Sequence, residues 1–319
     1  MNQEKVSIIT ALHNKGDYVQ QTIESVLAQT HVNWELIVVE NHSSDDGPDI
    51  VRSFRDPRIY LVEGGNEVRG PSAARNLGIR HVDGDWVLFL DADDLIATDH
   101  LQQLLNAKGH HGATVVAGGW REFVNGDSNQ KTEIKRPAGE FDRGSLLASS
   151  ICHPPWAIHA AIVKRHLLDQ TQWDESMDGL LGEDICFWFQ VCHSAEVAFS
   201  DSATAIYRTE TDNCRSERFD IRPWFEGIDA ATKRNVRFVV EQDQRINDDQ
   251  CEMLVRCYED LYAQAKRQGN REYANLALRL SQEWLNERCR RKTQPTTMIR
   301  LRHQLGIPLY HWARSCFGA

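Results

Sequence analysis

Apolar runs and amphipathic stretches alternate along the first 120 residues. Val6–Leu12 (VSIITAL) is a β-branched run suited to a buried strand. Asp17–Gln29 follows with Val19, Ile23, Val26 and Leu27 at helical spacing, and Asp17 with Gln20 three residues on has the form of a capping box. Trp34–Glu40 (WELIVVE) predicts a second buried strand, Asp49–Phe54 a short helix and Arg58–Val62 a third strand. Pro71–Val82 opens on proline, which suits the first position of a helix. Trp86–Leu90 (WVLFL) predicts a fourth strand, Leu101–Ala107 a helix and Thr114–Gly118 a further strand. This alternation implies βαβ units, an α/β fold and a mostly parallel sheet flanked by helices. Ligands of such sheets bind at the carboxyl ends of the strands.

Arg121–Ser216 is irregular, with a helix over Glu183–His193 and short strands near Val197–Phe199 and Ala203–Arg208. From Glu217 the pattern is helical only. Cys251, Leu254, Val255, Tyr258, Leu261, Tyr262 and Ala265 trace one apolar face, and Tyr273, Leu276, Ala277, Leu280 and Trp284 another, with a turn at Gly269-Asn270 between them. The expected organisation is a sheet domain over 1–216 and a helical C-terminal appendage over 217–319.

Composition adds exclusions. With 41% apolar and 26% charged residues, the 319-residue chain is neither disordered nor fibrous. Its net charge of −10 is divided unevenly: no acidic residue follows Glu287, while seven Lys or Arg do, so the preceding body carries −17. An acidic body disfavours nucleic acid as a partner. No run of about 18–20 apolar residues predicts a membrane span, and Met1–Lys5 shows no secretory pattern, so a cytoplasmic protein is expected. Met298–Phe317 mixes Ile299, Leu301, Leu305, Leu309, Trp312 and Phe317 with arginines. Such a stretch suits either peripheral contact with the anionic inner face of a membrane or packing on the acidic body or a second subunit as a homodimer. The eight cysteines include no C-x-x-C pair and none before Cys152, which favours buried thiols over a disulfide framework. Cys186 and Cys192–His193 stand too far apart on one helix for good chelation.

The chemistry-bearing residues follow the strands. Asp91-Ala92-Asp93-Asp94 ends Trp86–Leu90. Such carboxylates repel one another unless solvated or held by a hard divalent cation that also bridges phosphate oxygens; alternatively Asp94 or Asp99 caps the next helix. Glu40-Asn41 ends Trp34–Val39 and can hydrogen-bond a base or ribose, or form a polar turn. Gly64-Gly65-Asn66 leads to Ser72-Ala73-Ala74-Arg75-Asn76, whose small side chains permit close backbone approach to a ligand, with Arg75 able to pair with phosphate or with a surface acid. Asp184, after Gly182-Glu183, is either an N-cap or a general base. Neither G-x-x-x-x-G-K-[ST] nor a strand-linked G-x-G-x-x-G is present, which weighs against P-loop NTPases and nicotinamide dehydrogenases.

The order of these motifs resembles glycosyltransferase family 2. The resemblance rests on Val6–Asn14, Glu35–Asn41, Ala74-Arg75-Asn76-x-Gly78, Leu90–Asp94, Trp173-Asp174-Glu175, Gly182-Glu183-Asp184 and Tyr207-Arg208, and covers about residues 5–216. It implies a GT-A fold, a nucleotide-sugar donor, usually a UDP-sugar, and Mn²⁺ or Mg²⁺ held at the D-x-D. It also implies inverting transfer to a saccharide or lipid-linked acceptor. Carried onto this chain, it implies donor contacts at Thr10, Leu12, Asn14, Glu40, Asn41, Arg75, Asn76, Asp91, Ala92 and Arg208. Metal would be held by Asp93 and possibly Asp94, with Asp184 as base and an acceptor side at Trp156 and Glu183. The chain departs from the family at Glu40 and Asn41-His42-Ser43, where Asp and Asp-Gly-Ser are usual, and at Thr209-Glu210-Thr211, where a histidine usually follows Tyr-Arg. A sugar-nucleotide nucleotidyltransferase would want a glycine- and arginine-rich loop after the first strand, which His13–Asp17 does not supply. A non-catalytic binding or scaffold member is disfavoured by the retained Asp91, Asp93 and Asp184.

Overall fold

The computed structural model describes residues 4–109, 112–124, 132–137, 142–209 and 220–291. The chain builds β1 (Val6–Leu12), α1 (Gly16–Leu27), β2 (Trp34–Glu40), α2 (Gly47–Ser53), β3 (Ile59–Glu63), α3 (Pro71–Ile79), β4 (Trp86–Phe89), β5 (Leu95–Ile96), α4 (His100–Ala107) and β6 (Val115–Val124). There follow α5 (Arg143–Ser149), β7 (Ala161–Lys164), α6 (Glu183–Ser194), β8 (Val197–Thr209), α7 (Ile221–Glu241), α8 (Asp248–Arg267) and α9 (Arg271–Arg291). The eight strands form one sheet in the order β3-β2-β1-β4-β7-β6-β8-β5.

The first half of that sheet is parallel: β3, β2, β1 and β4 pair in the same direction. Beyond β4 the direction mixes. β7 runs antiparallel to both β4 and β6, β6 and β8 are parallel, and β5 is antiparallel to β8. The two strands expected near Val197–Phe199 and Ala203–Arg208 are one strand, β8, whose register against β6 slips between Ala117 and Gly119. That irregularity explains why its apolar pattern reads as two pieces.

Side-chain alternation sorts the core onto both faces of the sheet. From β1, Ile9 joins Ile37, Phe89, Phe187 and Trp188 on one face, while Val6 and Ile8 join Val19, Ile23 and Trp34 on the other. A third apolar cluster unites Ile151, Met177, Ile185 and Phe189 with Ile221, Phe225, Leu254 and Tyr258. The helical region therefore shares its core with α6 and the segment after α5. The basic tail from 292 on, and the expected boundary near 216, lie outside the described residues.

Two local expectations change. Helix α1 starts at Gly16, with Lys15 at the N-cap and Asp17 inside the first turn, so Asp17 and Gln20 form no capping box. Instead Asp45, from the loop after β2, accepts the Gly16 N–H at 2.7 Å. Asp99 stands at the N-cap of α4 but its side chain bonds Gln103 rather than a backbone N–H.

Candidate active site

The loops at the carboxyl ends of β1 and β2 are stitched to each other. Asn41 N–H donates to the Leu12 carbonyl at 2.8 Å, extending the β1–β2 ladder by one rung. Asn14 lies in the left-handed region with φ 51°, a conformation asparagine tolerates, and its amide oxygen accepts from Ser44 N–H at 2.7 Å. The His13 ring contacts the Asn41 carbonyl at 2.6 Å. The Glu40 carboxylate is taken up by the N–H of Ser43 in its own turn. Asn41 is buried, and its side-chain oxygen accepts from Gly70 N–H at 3.3 Å, latching the glycine-rich loop onto β2.

The acidic turn after β4 is braced by four hydrogen bonds from two residues. Thr22 Oγ1 donates to the carbonyls of Ala92 and Asp94, both at 2.9 Å. Arg208 donates through Nε to the Asp93 carbonyl and through its backbone N–H to Asp94 Oδ1, each at 2.7 Å. Arg208 is itself wedged between the Tyr18 and Phe123 rings. Within the turn, Asp94 N–H donates to the Asp91 carbonyl at 3.1 Å.

These contacts give the three aspartates different environments. Asp93 is partly exposed, and its carboxylate lies 2.6 Å from Lys15 Nζ. Asp91 accepts from Arg75 at 2.8 Å. Asp94 is 1% exposed and faces the buried His159 at 3.3 Å. Burial, with Asp93 and Asp91 adding to it, pushes the Asp94 carboxyl well above the usual carboxylate range. Burial pulls the His159 imidazole down to about 4. Asp94 and His159 thus lie buried behind the turn, where burial disfavours the charged form of each, whereas Asp93 faces the cleft.

Arg75 is held by the fold. It is 4% exposed, stacks its guanidinium over Trp173 with 4.4 Å to the ring centroid, and lies 3.7 Å from Glu183 as well as against Asp91. Trp173 in turn stacks on Phe187 at 4.1 Å with rings nearly parallel. The arginine expected at phosphate therefore cross-links two acids of the site. Asn76 is also structural: its amide donates to the Trp173 carbonyl and to Glu175, and its oxygen accepts from Trp173 N–H, all at 2.9 Å.

The N-terminus of α3 is capped from a distance. Asp178 accepts from Ser72 N–H at 2.9 Å and Ala73 N–H at 3.1 Å. Gly70 precedes with φ 118°, and a Cβ there would meet Asp178 at 2.4 Å. Asp178→Ala should cost about 1 kcal/mol by loss of this cap and loosen the helix that carries Arg75; denaturant titration showing no change in midpoint would refute the cap's role.

Helix α6 begins at Glu183 with Gly182 at the N-cap, φ 110°. Asp184 is therefore the second residue of the helix rather than its cap, where a carboxylate complements the helix dipole. Its Oδ1 accepts from Ile185 N–H at 2.9 Å. Glu183 is buried against Arg75, while Asp184 is partly exposed.

One cleft of about 1130 Å³ brings these groups together. It is lined by Asn14, Asn41, Arg75, Asp91, Ala92, Asp93, Asp94, Trp156, Glu183, Asp184 and Arg208 among the expected residues, and by Lys15, His13, Tyr207, Trp224 and Ile228, which sequence reasoning did not select. Thr10, Leu12, Glu40 and Asn76 stand outside its lining: Thr10 and Leu12 are buried in β1 and Asn76 in its clamp. Trp156 is 1% exposed and meets Trp188 edge-on at 5.1 Å, so it is a core residue that forms the cleft's wall. Trp224 and Ile228 come from α7, so the C-terminal helices close one side of the cleft. No sequence spacing links them to the aspartates.

A parallel β3-β2-β1-β4 block with an acidic turn at the end of β4 and helices on both faces is the GT-A fold. Residues 7–167, half of the chain, match the family model described as glycosyl transferase family 2, and the chain belongs to that family. An uncharacterized glycosyltransferase of Rickettsia felis is 28% identical over 203 residues, which is 63% of this chain and 32% of that protein. The chain thus spans about a third of the length of the Rickettsia relatives it matches. Among solved structures, S. aureus TarS 1–349 in complex with UDP superposes with TM-score 0.65 at 20% identity, covering 98% of this chain and 87% of that one. The mannosyltransferase PcManGT from Pyrobaculum calidifontis, in complex with GDP-Man and Mn²⁺, superposes with TM-score 0.58 at 16% identity, covering 100% and 88%. Among the described residues no helix is long and apolar enough to cross a membrane.

Proposed function

We propose that this chain transfers a sugar from a nucleotide-sugar donor, a UDP-sugar in the first instance, to a hydroxyl of a saccharide or lipid-linked acceptor, with inversion at the anomeric carbon. The observation that carries this is the convergence on one cleft of Asp91 and Asp93 from β4, Asn14 and Asn41 from β1 and β2, and Asp184 from α6. The UDP and GDP-Man bound by TarS and PcManGT on the same fold support the donor class.

The donor set suits a hard divalent cation, Mn²⁺ or Mg²⁺. Asp93 already pairs with an ammonium, Lys15 Nζ, so positive charge is stabilised at this point. Asp93 would hold the ion, with Asp91 at its side and Asp94 supporting the turn from the core. When bound, the ion offsets charge that develops on the leaving diphosphate. Asp184 accepts the proton of the attacking hydroxyl, which is a weak nucleophile at neutral pH. Arg75 and Glu183 keep Asp91 and the start of α6 in fixed relation. Asn14, Asn41 and the ends of β1 and β2, with Thr10, Leu12 and Glu40 shaping them from outside the cleft, receive the base and ribose.

Thermal shift with UDP-, GDP- and dTDP-sugars in Mn²⁺ should single out one nucleotide. A donor present at 100 times its Kd stabilises by about 2.7 kcal/mol. Incubation of that donor with acceptors should then release the nucleoside diphosphate. Release of pyrophosphate, or stabilisation by no donor, would overturn the proposal.

A further inference from the structure

Three side chains suited to a thiophilic cation meet in the core shared by the segment after α5 and the C-terminal helices. Cys152 and His153 lie in the turn after α5, held by N–H bonds back to the Ser149 carbonyl. Cys257 lies midway along α8. One donor atom from each, two sulfurs and an imidazole nitrogen, lies within 4.8 Å of the other two. Among the described residues this is the one group of three or more His, Cys, Asp or Glu side chains so arranged. Cys152 is 0% and Cys257 1% exposed, while His153 is partly exposed. The other described buried cysteines, such as Cys186 and Cys192 on α6, take part in no such group.

We infer that Cys152, His153 and Cys257 form a binding site for a thiophilic divalent cation of the Zn²⁺ class, distinct from the acidic site at Asp93. Zn–S bonds of about 2.3 Å and Zn–N bonds of about 2.0 Å place tetrahedral donors roughly 3.5–3.8 Å apart. The donors, within 4.8 Å of one another, would have to draw together by up to about 1 Å to reach that value. Two thiolates and a neutral imidazole favour Zn²⁺ over Mn²⁺ or Mg²⁺, which prefer oxygen. The charge also balances in a buried setting. Each thiol gives up its proton as its sulfur bonds the ion, so two protons leave, and the two thiolates cancel the ion's double charge. Pro154 and Trp156, immediately downstream, line the cleft, so the ion would staple α8 to the segment that builds the cleft wall.

The test uses the full chain, reduced and stripped of metal, titrated with Co²⁺ as a spectroscopic substitute. The expected result is one sulfur-to-cobalt charge-transfer band in the near ultraviolet, saturating at one equivalent, displaced by Zn²⁺ and not by Mn²⁺. An oxygen site at Asp93 gives no such band, so the two sites read out separately. Cys257→Ser and Cys152→Ser should lose the band, and Cys186→Ser should keep it. His153→Ala removes a partly exposed ring and leaves the core intact; it should bind Co²⁺ roughly 10-fold or more weakly. Zn²⁺ should raise the melting temperature of the parent chain and not of Cys257→Ser. Absence of the band in the reduced chain, its persistence in the Cys152→Ser/Cys257→Ser double variant, or isolation of Cys152–Cys257 as a stable disulfide would overturn the inference.

Discussion

Asp184→Asn should retain donor binding and lose sugar transfer by roughly 10²–10⁴-fold, the usual contribution of a positioned general base. The substitution keeps shape and the ability of the side-chain oxygen to accept from Ile185 N–H. It removes the basicity that the attacking hydroxyl needs. The neighbouring acid supplies the contrast. Glu183 is buried beside Arg75, so Glu183→Gln weakens an internal ion pair and should lower stability before it touches the chemical step. Calorimetric titration with the nucleoside diphosphate, alongside single-turnover transfer, separates the two effects. Transfer by Asp184→Asn at the parent rate would remove it as base and direct attention to another group of the cleft.

The parts of this site that were legible in the sequence are those fixed by local pattern. Strands β1, β2 and β4 are apolar runs, and a strand's end places the next residues at the ligand-binding edge, so Asn41, Asp91 and Asp93 follow from position, and Asn14 from the family resemblance. Residues whose partners lie far along the chain were harder to assign. Arg75 has the chemistry of a phosphate ligand, but Trp173 beneath it and Glu183 beside it, both about 100 positions on, turn it into a cross-link. Asn76 is tied to Trp173 by the same folding step, which takes it out of the cleft. Asp94 and Asp93 are adjacent and alike on paper. What separates them is Arg208, set behind the turn by β8, and His159, set there by the short turn that leads into β7. Lys15 follows β1 in a polar turn and gains meaning only because Asp93 comes within 2.6 Å of it. Short elements inside the irregular stretch, α5 and β7, carry too few residues to show a period; β7 is four residues long.

Asp93→Asn should abolish the Mn²⁺-dependent increment of donor binding and reduce turnover on the order of 10²-fold or more, since charge stabilisation of a leaving diphosphate is worth several kcal/mol. Asparagine keeps a side-chain oxygen but not the charge. Three features make Asp93 the decisive position of the turn. Its carboxylate faces the cleft and is partly exposed, so exchange with a solvated ion is open to it. Its backbone carbonyl is fixed by Arg208, so the side chain is presented from a rigid base. Its present partner is Lys15, whose ammonium competes with any second cation for the same oxygen. Lys15→Ala therefore gives the complementary result. Removing the competing ammonium should tighten Mn²⁺ binding to the donor-free protein, whereas Asp93→Asn weakens it. Asp94→Asn should act differently again: that carboxyl is buried behind the turn, where burial disfavours its charge and its Oδ1 accepts from Arg208 N–H, so Mn²⁺ affinity should stay within a few-fold of the parent. Mn²⁺ titrations of the three variants, with and without the nucleoside diphosphate, check the set. Equal loss of Mn²⁺ affinity in Asp93→Asn and Asp94→Asn would mean that both carboxylates ligate, and that the buried pairing of Asp94 with His159 opens when the ion arrives.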